Sequence, residues 1–156
     1  MPATKKLSTQ QIGKLGELLV QYELLRQGID SAHLTTDSGI DLVAYSHLRA
    51  TAYTIQVKTN LKPKPGGGKG RPSLDWWIAD DSPAQLFAFA DISTNRVWLL
   101  DQAELARHAQ QHPAGRFHFY MNIEEVTHRN SSTISFVEHF DNFLIQNRVA
   151  AFFGST

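Results

Sequence analysis

The sequence predicts an α/β protein in which helices pack against a mixed β-sheet. Three observations predict this class: a capped helix near the N-terminus, two alternating strands after it, and further strands followed by a C-terminal amphipathic segment. A helix, then strands, then mixed elements is the order typical of an α/β sandwich. With 156 residues and a hydrophobic content of 42%, the chain is predicted to form one domain, 1–156.

The first helix is predicted to begin near Ser8, because Ser8 and Gln11 have the spacing of a capping box. Gly28 suits the left-handed residue that follows a helix C-terminus. Gly13 and Gly16 each cost a helix about 1 kcal/mol relative to alanine, so they predict a close approach of the backbone, for example to the sheet. The predicted inward-facing stripe consists of Ile12, Leu15, Leu19 and Tyr22, widened by Leu18 and Leu25.

A first strand is predicted over 29–34, followed by a turn over 35–39 and a hairpin with strands at 40–45 and 52–58. Side chains alternate along a strand, so Gln56 and Lys58 are expected on one face and Ile55 and Val57 on the other. If the loop is centred between residues 48 and 49, Asp41 lies opposite Gln56. Asp37 is interpreted as a turn residue, with a second ligand position as the alternative.

Asp41, Gln56 and Lys58 would bring a carboxylate, an amide oxygen and an ammonium group together at the end of apolar strands. Magnesium prefers hard oxygen ligands, and an attacking water needs a nearby cation or base. The hairpin therefore predicts a hydrolytic metal site. The alternative is an ordinary strand whose exposed face carries polar residues.

The order of these motifs, from the glycine-rich helix start GKLGE through Gly-x-Asp to Gln-x-Lys, resembles the PD-(D/E)XK nuclease superfamily. The resemblance covers residues 13–60. It implies a restriction-endonuclease-like three-layer sandwich, with a central mixed β-sheet flanked by helices. By the same resemblance, Glu17 matches the helix glutamate, Asp41 the strand aspartate and Lys58 the catalytic lysine. The chain departs from the usual pattern at Gln56, where most members carry an acidic residue.

The resemblance further implies a magnesium-dependent endodeoxyribonuclease, with Mn²⁺ able to substitute for Mg²⁺. Asp41, Gln56, the Val57 carbonyl and Glu17 would ligate the metal, and Lys58 would position the attacking water. A homodimer is expected, because a DNA duplex has two strands to cut. The rival hypothesis is a catalytically inactive nuclease-fold module that binds nucleic acid or protein, with the neutral Gln56 marking a decayed site.

Residues 61–74, LKPKPGGGKGRPSL, form a low-complexity basic segment directly after Lys58. Its proline and glycine content predicts a mobile loop without regular structure. The DNA-binding residues expected in it are Lys62, Lys64, Lys69 and Arg71, which lie within one stretch that contains no acidic residue. The alternative is a solvated surface loop without a function.

Composition excludes several other classes of protein. There is no cysteine, which excludes disulfides, thiolate zinc sites and a cysteine nucleophile, and is consistent with a cytoplasmic protein. The apolar runs are too short for a membrane-spanning helix, so no membrane partner is expected. Residues 1–7 lack an apolar signal core and are predicted to be disordered. The net charge is zero, so any DNA contact must come from a local basic patch.

The remaining elements are predicted from pattern alone. Residues 86–92 and 96–100 indicate a second hairpin, 117–121 a late strand and 136–153 an amphipathic helical region. Asp101 and Glu104 have capping-box spacing for a helix that runs to about residue 111. At least one of Trp76 and Trp77 is expected in the core. His108 and His112 lie four residues apart, but no acidic third ligand is placed to complete a zinc site.

Overall fold

A five-stranded mixed sheet forms the centre of the computed structural model, which describes residues 4–36, 38–125 and 134–155. The strands of the described residues are β1 (Asp30–His33), β2 (Leu42–Ser46), β3 (Thr51–Asn60), β4 (Lys64–Pro65), β5 (Pro72–Ala79), β6 (Leu86–Asp91), β7 (Arg96–Asp101) and β8 (Arg116–Asn122). The α-helices are α1 (Thr9–Arg26), α2 (Gln102–His108) and α3 (Ile145–Phe153), and 3₁₀ helices cover Gly66–Gly68 and Val137–Phe143.

The central sheet has the strand order β1-β2-β3-β6-β7. All its neighbouring strands are antiparallel except β3 and β6, which are parallel. A second, antiparallel sheet with the order β4-β5-β8 covers one face of this sheet, together with the second 3₁₀ helix. Helices α1 and α3 cover the other face. The predicted class, an α/β sandwich around a central mixed sheet flanked by helices, is confirmed.

Strand β6 separates two apolar cores. All six of its residues are buried. Leu86, Ala88 and Ala90 face the core shared with α1 and α3, whereas Phe87 and Phe89 face the core shared with the second sheet. This alternation follows from the two-residue period of a strand that is covered on both sides.

The cap of α1 confirms the prediction made from its sequence. The Ser8 hydroxyl accepts a hydrogen bond from the Gln11 backbone N–H at 3.2 Å, and the Gln11 side chain accepts one from the Ser8 N–H at 2.8 Å. Gly28 has the expected positive φ, 79°. Both signals are local, since each depends on residues within one turn of the helix end.

The predicted buried stripe of α1 is correct for Leu19, which packs against the core, and wrong for most of its other members. Gly16, Val20 and Leu24 face the core, whereas Leu15, Leu18, Tyr22 and Leu25 of the predicted stripe are exposed. The cause is the contact between Gly16 and β3, where a Cβ on Gly16 would lie 1.8 Å from Thr59 Oγ1. This close approach fixes the rotation of the helix about its axis. Gly13 has no such contact, because a Cβ there would meet nothing within 4 Å.

The basic segment contains regular structure, contrary to the prediction. Strand β4 pairs with the start of β5, with Lys64 opposite Ser73, and the glycines between the strands make the turn. Gly67 and Gly68 have positive φ values of 60° and 82°, which glycine adopts without a steric penalty. Pro72 is tolerated because it is the first residue of β5. The mobility of 61–74, like the disorder of 1–7, stays a prediction.

Other local predictions agree with the structure. Trp76 is buried and Trp77 is exposed, as expected for a strand with one face in the core. The β6–β7 hairpin forms with full pairing, and Asp101 and Glu104 make the capping box of α2. The region 136–153 divides into a 3₁₀ helix and α3. None of the helices in the described ranges is both long and apolar enough to span a bilayer.

The two histidines near the end of α2 have separate environments. His108 packs edge-on against Phe143, and its burial, with a smaller contribution from Arg107, lowers the pKa of its imidazole. His112 hydrogen-bonds to Asp80 and stacks on Phe117. Within residues 4–36, 38–125 and 134–155, no three His, Cys, Asp or Glu side chains form a potential metal cluster.

Candidate active site

The candidate active site lies at the N-terminal end of β2. Beyond this end, the paired strand β3 continues to Asn60. Leu42 pairs with Ile55 and Ser46 with Thr51, so the loop is centred between residues 48 and 49 and the predicted register is confirmed. Strand β3 has ten residues and β2 has five. The last residues of β3 therefore extend beyond the end of the ladder that β2 provides.

The Asp41 side chain occupies the end of this ladder. The Asp41 backbone N–H donates to the Ile55 carbonyl at 2.9 Å, and Oδ2 of its carboxylate accepts from the Val57 N–H at 2.7 Å. Strand N–H groups point sideways toward the neighbouring strand, so this oxygen lies near the plane of the sheet, where a backbone carbonyl would otherwise pair. The backbone of β3 thus fixes the position of the carboxylate.

The Val57 carbonyl faces the same place. Within a strand, the N–H and C=O of one residue point toward the same neighbour. Because the Val57 N–H points to Asp41, its carbonyl points into the space beyond the start of β2. A carboxylate and a backbone carbonyl, both oxygen donors, therefore border one gap in the sheet.

Gln56 and Lys58 lie on either side of Val57 in β3. Their side chains point to one face of the sheet, and the Val57 side chain points to the other. Their neighbours on β6 are Phe87 and Phe89, which belong to the core beneath the second sheet. Both polar side chains are half-buried. The Gln56 amide oxygen accepts a hydrogen bond from the Ser82 hydroxyl at 2.9 Å. Lys58 forms no salt bridge within the described residues, so its ammonium group is not neutralised by a carboxylate there.

Glu17 borders the gap from the helix side. A cavity of about 230 Å³ is lined by both Glu17 and Asp41, and also by Lys14, His33, Leu34, Thr35, Thr36 and Ile40. The Glu17 carboxylate is 2.5 Å from Lys14 Nζ and 3.2 Å from His33 Nδ1. The structure thus brings Glu17 and Asp41 into one cavity, whereas Gln56 and Lys58 lie outside its lining.

Two residues of this region, His33 and Ser82, were missed from the sequence. Lys14, which belongs to the GKLGE motif, lies one helical turn before Glu17, and the two side chains form a salt bridge as such pairs do. His33 and Ser82 contact Glu17 and Gln56 through tertiary structure, at sequence separations of 16 and 26 residues. Asp37 lies outside the described residues.

The four basic residues of 61–74 are all exposed: Lys62, Lys64, Lys69 and Arg71. They follow β3 directly, so they extend from the same strand that carries Gln56 and Lys58. Among the described residues, none of the four takes part in a salt bridge. Their positive charge is therefore available for an external anion.

Comparison with known proteins supports the fold class of the chain. The structure of the bacterial homing endonuclease I-Ssp6803I is similar, with a TM-score of 0.57, 13% sequence identity, and coverage of 83% of this chain and 85% of that chain. No family model and no curated protein matches the sequence. The chain therefore has a nuclease-like α/β fold.

Proposed function

We propose that the protein is a metal-dependent endodeoxyribonuclease of the PD-(D/E)XK type, which hydrolyses DNA phosphodiester bonds with Mg²⁺, or with Mn²⁺ in its place. The observation that carries the proposal is the gap beyond β2, where the Asp41 carboxylate is fixed by the Val57 N–H and shares a cavity with Glu17. The nuclease-like fold supports the same class of activity.

The donor set is compatible with a hard divalent cation. Asp41 and Glu17 supply two carboxylates, and Val57 supplies a carbonyl that faces the same gap. Carboxylate and carbonyl oxygens, completed by water, are the ligands that Mg²⁺ takes in proteins. Gln56 would add its amide oxygen. A bound metal ion would lower the pKa of a bound water and stabilise negative charge on the phosphate.

The protein's own residues would orient the reactants. Lys58 follows Val57, the residue whose N–H binds Asp41. Among the described residues, no carboxylate forms a salt bridge with Lys58. Its ammonium group would therefore be able to stabilise developing charge and position the attacking water. The Val57 N–H would hold the Asp41 carboxylate in a fixed orientation through substrate binding. A homodimer would present two such sites to the two strands of a duplex.

The direct test is cleavage of supercoiled plasmid DNA by the purified protein. We expect nicked and linear products with about 5 mM Mg²⁺ or Mn²⁺, a concentration suited to an oxygen-ligand site with an affinity on the order of millimolar. We expect intact plasmid with EDTA. Cleavage that continues in EDTA would contradict a metal-dependent mechanism.

The rival function is DNA or protein binding without cleavage, and one contact favours it. The Gln56 amide oxygen already accepts the Ser82 hydroxyl, and the position carries no negative charge. A protein that binds DNA in EDTA and in Mg²⁺ alike, and cleaves in neither, would support the rival.

Replacing Gln56 by glutamate tests whether this position reaches the metal. Glutamate retains an oxygen that can accept from Ser82 and adds a charge that binds a hard cation better. We expect Gln56→Glu to be folded, to cleave DNA and to bind Mg²⁺ more tightly by isothermal titration. The control is Gln85→Glu, because Gln85 is exposed and bonds to Thr54 rather than to the site. Equal Mg²⁺ affinity in Gln56→Glu and wild type would place Gln56 outside the metal shell.

Removing the basic cluster tests its expected contact with phosphates. We expect serine at positions 62, 64, 69 and 71 to weaken DNA binding to a similar extent for all sequences. The salt dependence should flatten, because each lost phosphate contact releases about one fewer counterion. Fold stability should change little, since the four side chains are exposed. Fluorescence anisotropy over a salt series measures the slope, and an unchanged slope would place the DNA on another surface.

A further inference from the structure

The outer face of the second sheet carries a cavity of about 770 Å³ that is separate from the candidate active site. It shares no lining residue with the cavity of Asp41 and Glu17. Its floor is formed by alternate side chains of β5 and β8, which point away from the core, and its wall by the glycine turn after β4. The floor residues are Ser73, Asp75, Trp77, His118, Tyr120 and Asn122.

Aromatic rings dominate one end of this floor. Trp77 and His118 are paired across the strands and stack face to face, with ring centroids 4.1 Å apart and an interplanar angle of 2°. The Tyr120 ring follows at 5.3 Å from His118. Arg116 lies over the indole of Trp77 at 4.7 Å from its centroid. Trp77 is 38% exposed and His118 and Tyr120 are half-buried, whereas Trp76 and Trp98 are in the core. This group of rings therefore reaches the solvent chiefly at Trp77.

Hydrogen bonds hold this surface in one arrangement. Both ring nitrogens of His118 face side-chain oxygens, with Asp75 Oδ2 at 3.1 Å from Nε2 and Gln111 Oε1 at 3.2 Å from Nδ1. The side chain of Gln110 bonds to both the N–H and the carbonyl of Tyr120, at 2.9 and 2.7 Å. These contacts lie outside the apolar core. They order an exposed aromatic surface in advance, which lowers the entropic cost of binding a flat ligand.

The wall opposite the rings is bare backbone with positive charge beside it. Gly66, Gly67 and Gly68 line the cavity, and a Cβ at Gly67 or Gly68 would meet nothing within 4 Å, so no other part of the described chain packs against these two glycines there. Lys64 lines the cavity, and Lys69 and Arg71 are exposed on the same turn. Aromatic rings beside a basic strip are the combination that binds unpaired nucleotides, because bases stack on rings and phosphates contact the cations.

We propose that this cavity binds an unpaired nucleobase of the DNA substrate, with its phosphates held by Lys64 and the neighbouring basic residues. The Asp75 carboxylate and the Gln111 amide offer oxygen acceptors at the edge of the rings, so a base with an exocyclic amino group fits the polar groups best. This inference rests on the proposed nuclease function, and it names the substrate: DNA with a single-stranded or unpaired position near the site of cleavage.

The test compares two DNA duplexes of the same length in EDTA, where no cleavage is expected. One contains a single bulged 2-aminopurine and the other has the same 2-aminopurine in a base pair. We expect the bulged duplex to bind about tenfold more tightly by anisotropy, the gain of one stacked base, and its 2-aminopurine fluorescence to be quenched on binding. Trp77→Leu and Tyr120→Leu should each remove most of both effects.

The matched control is Tyr45→Leu. Tyr45 is another exposed aromatic residue on a strand beside a histidine, with its ring 5.1 Å from that of His47, and it lies on the central sheet. This variant should retain the preference for the bulged duplex. Circular dichroism melting checks that each variant is folded. If Trp77→Leu does not fold, Tyr120→Leu provides the test of the cavity.

The outcomes separate this inference from the proposed function. Equal affinity for both duplexes, or a preference that survives in both folded cavity variants, would overturn the base-binding cavity even if plasmid DNA is cleaved with Mg²⁺. A preference that depends on Trp77, in a protein that cleaves no DNA, would support the cavity and overturn the nuclease.

Discussion

If the proposed function is correct, we expect Asp41→Asn and Lys58→Met each to reduce DNA cleavage with Mg²⁺ by at least about a hundredfold, the usual loss when one electrostatic contact to the transition state is removed. The asparagine keeps an oxygen that can accept from the Val57 N–H, but it removes the negative charge from the gap. The methionine keeps the length of the lysine side chain without its charge. Initial rates of plasmid nicking, measured over several Mg²⁺ concentrations, give both the maximal rate and the metal requirement.

Alanine at position 41 is a less informative change, because it acts on the fold as well. It leaves the part-buried Val57 N–H without its acceptor, which costs less than the about 1–3 kcal/mol of a fully buried donor. Asp30→Asn is the matched control, since Asp30 is an exposed strand aspartate whose side chain bonds to the exposed His47, away from the candidate site. Wild-type rates in either Asp41→Asn or Lys58→Met would show that the catalyst lies elsewhere.

We expect Gly16→Ala to lower the free energy of unfolding by about 2–3 kcal/mol, at the upper end of the cost of overpacking, and Gly13→Ala to raise it by about 1 kcal/mol. The two glycines lie in the same helix, one turn apart, and differ in what they face. A methyl group on Gly16 would lie 1.8 Å from Thr59 Oγ1, whereas one on Gly13 would meet nothing within 4 Å. Urea denaturation of the three proteins measures the difference.

A second background shows whether Thr59 causes the loss. Thr59 Oγ1 is buried and has no hydrogen-bond partner among the described residues, so removing it sacrifices no hydrogen bond. With Thr59→Gly in place, the space for the new methyl group opens, and Gly16→Ala should cost far less than in the wild type. An equal loss in both backgrounds would mean that the helix and β3 are not in the contact described.

Local signals predicted much of the fold. The capping boxes at Ser8 and Asp101 and the positive φ of Gly28 each depend on side chains and backbone within one turn. The hairpin register followed from the spacing of two alternating strands around a short loop. Such features are encoded within single short stretches of the chain, so the sequence pattern is sufficient to predict them.

The failures concern contacts between distant segments. The rotation of α1 is decided by Gly16 against Thr59, a contact that outweighs the apolar stripe through Leu15 and Tyr22. The basic segment joins a second sheet because β5 pairs with β8, a strand much further along the chain, with Ser73 opposite Asn122 and Ala79 opposite Arg116. Neither partner is visible from the segment itself, so composition alone suggested an irregular loop.

For the candidate site, the sequence predicted the strand register and the shared face of Gln56 and Lys58, but not the contacts of the side chains. Alternation correctly assigned Gln56 and Lys58 to one face of β3. It could not show that Asp41 replaces a ladder carbonyl at Val57, because side-chain bonds to the backbone have no signature in strand periodicity. His33 and Ser82 escaped notice because they approach the site from other elements. The roles of Asp41, Gln56, Lys58 and Glu17 stay predictions.

The position of β6 between the two cores has a consequence for how the molecule opens. Separating β6 from β3 would expose both apolar interiors at once, so the two halves should unfold as one cooperative unit, and the amide protons of β6 should exchange with solvent only through global unfolding. Among the strands of the described residues, β1 lies at the edge of the sheet and pairs with β2 alone, and its side chains are mostly exposed. Sub-global opening should therefore begin at β1. Gln56 and Lys58 would then stay in place beside β6, while His33 would move away from the cavity that it lines with Glu17 and Asp41.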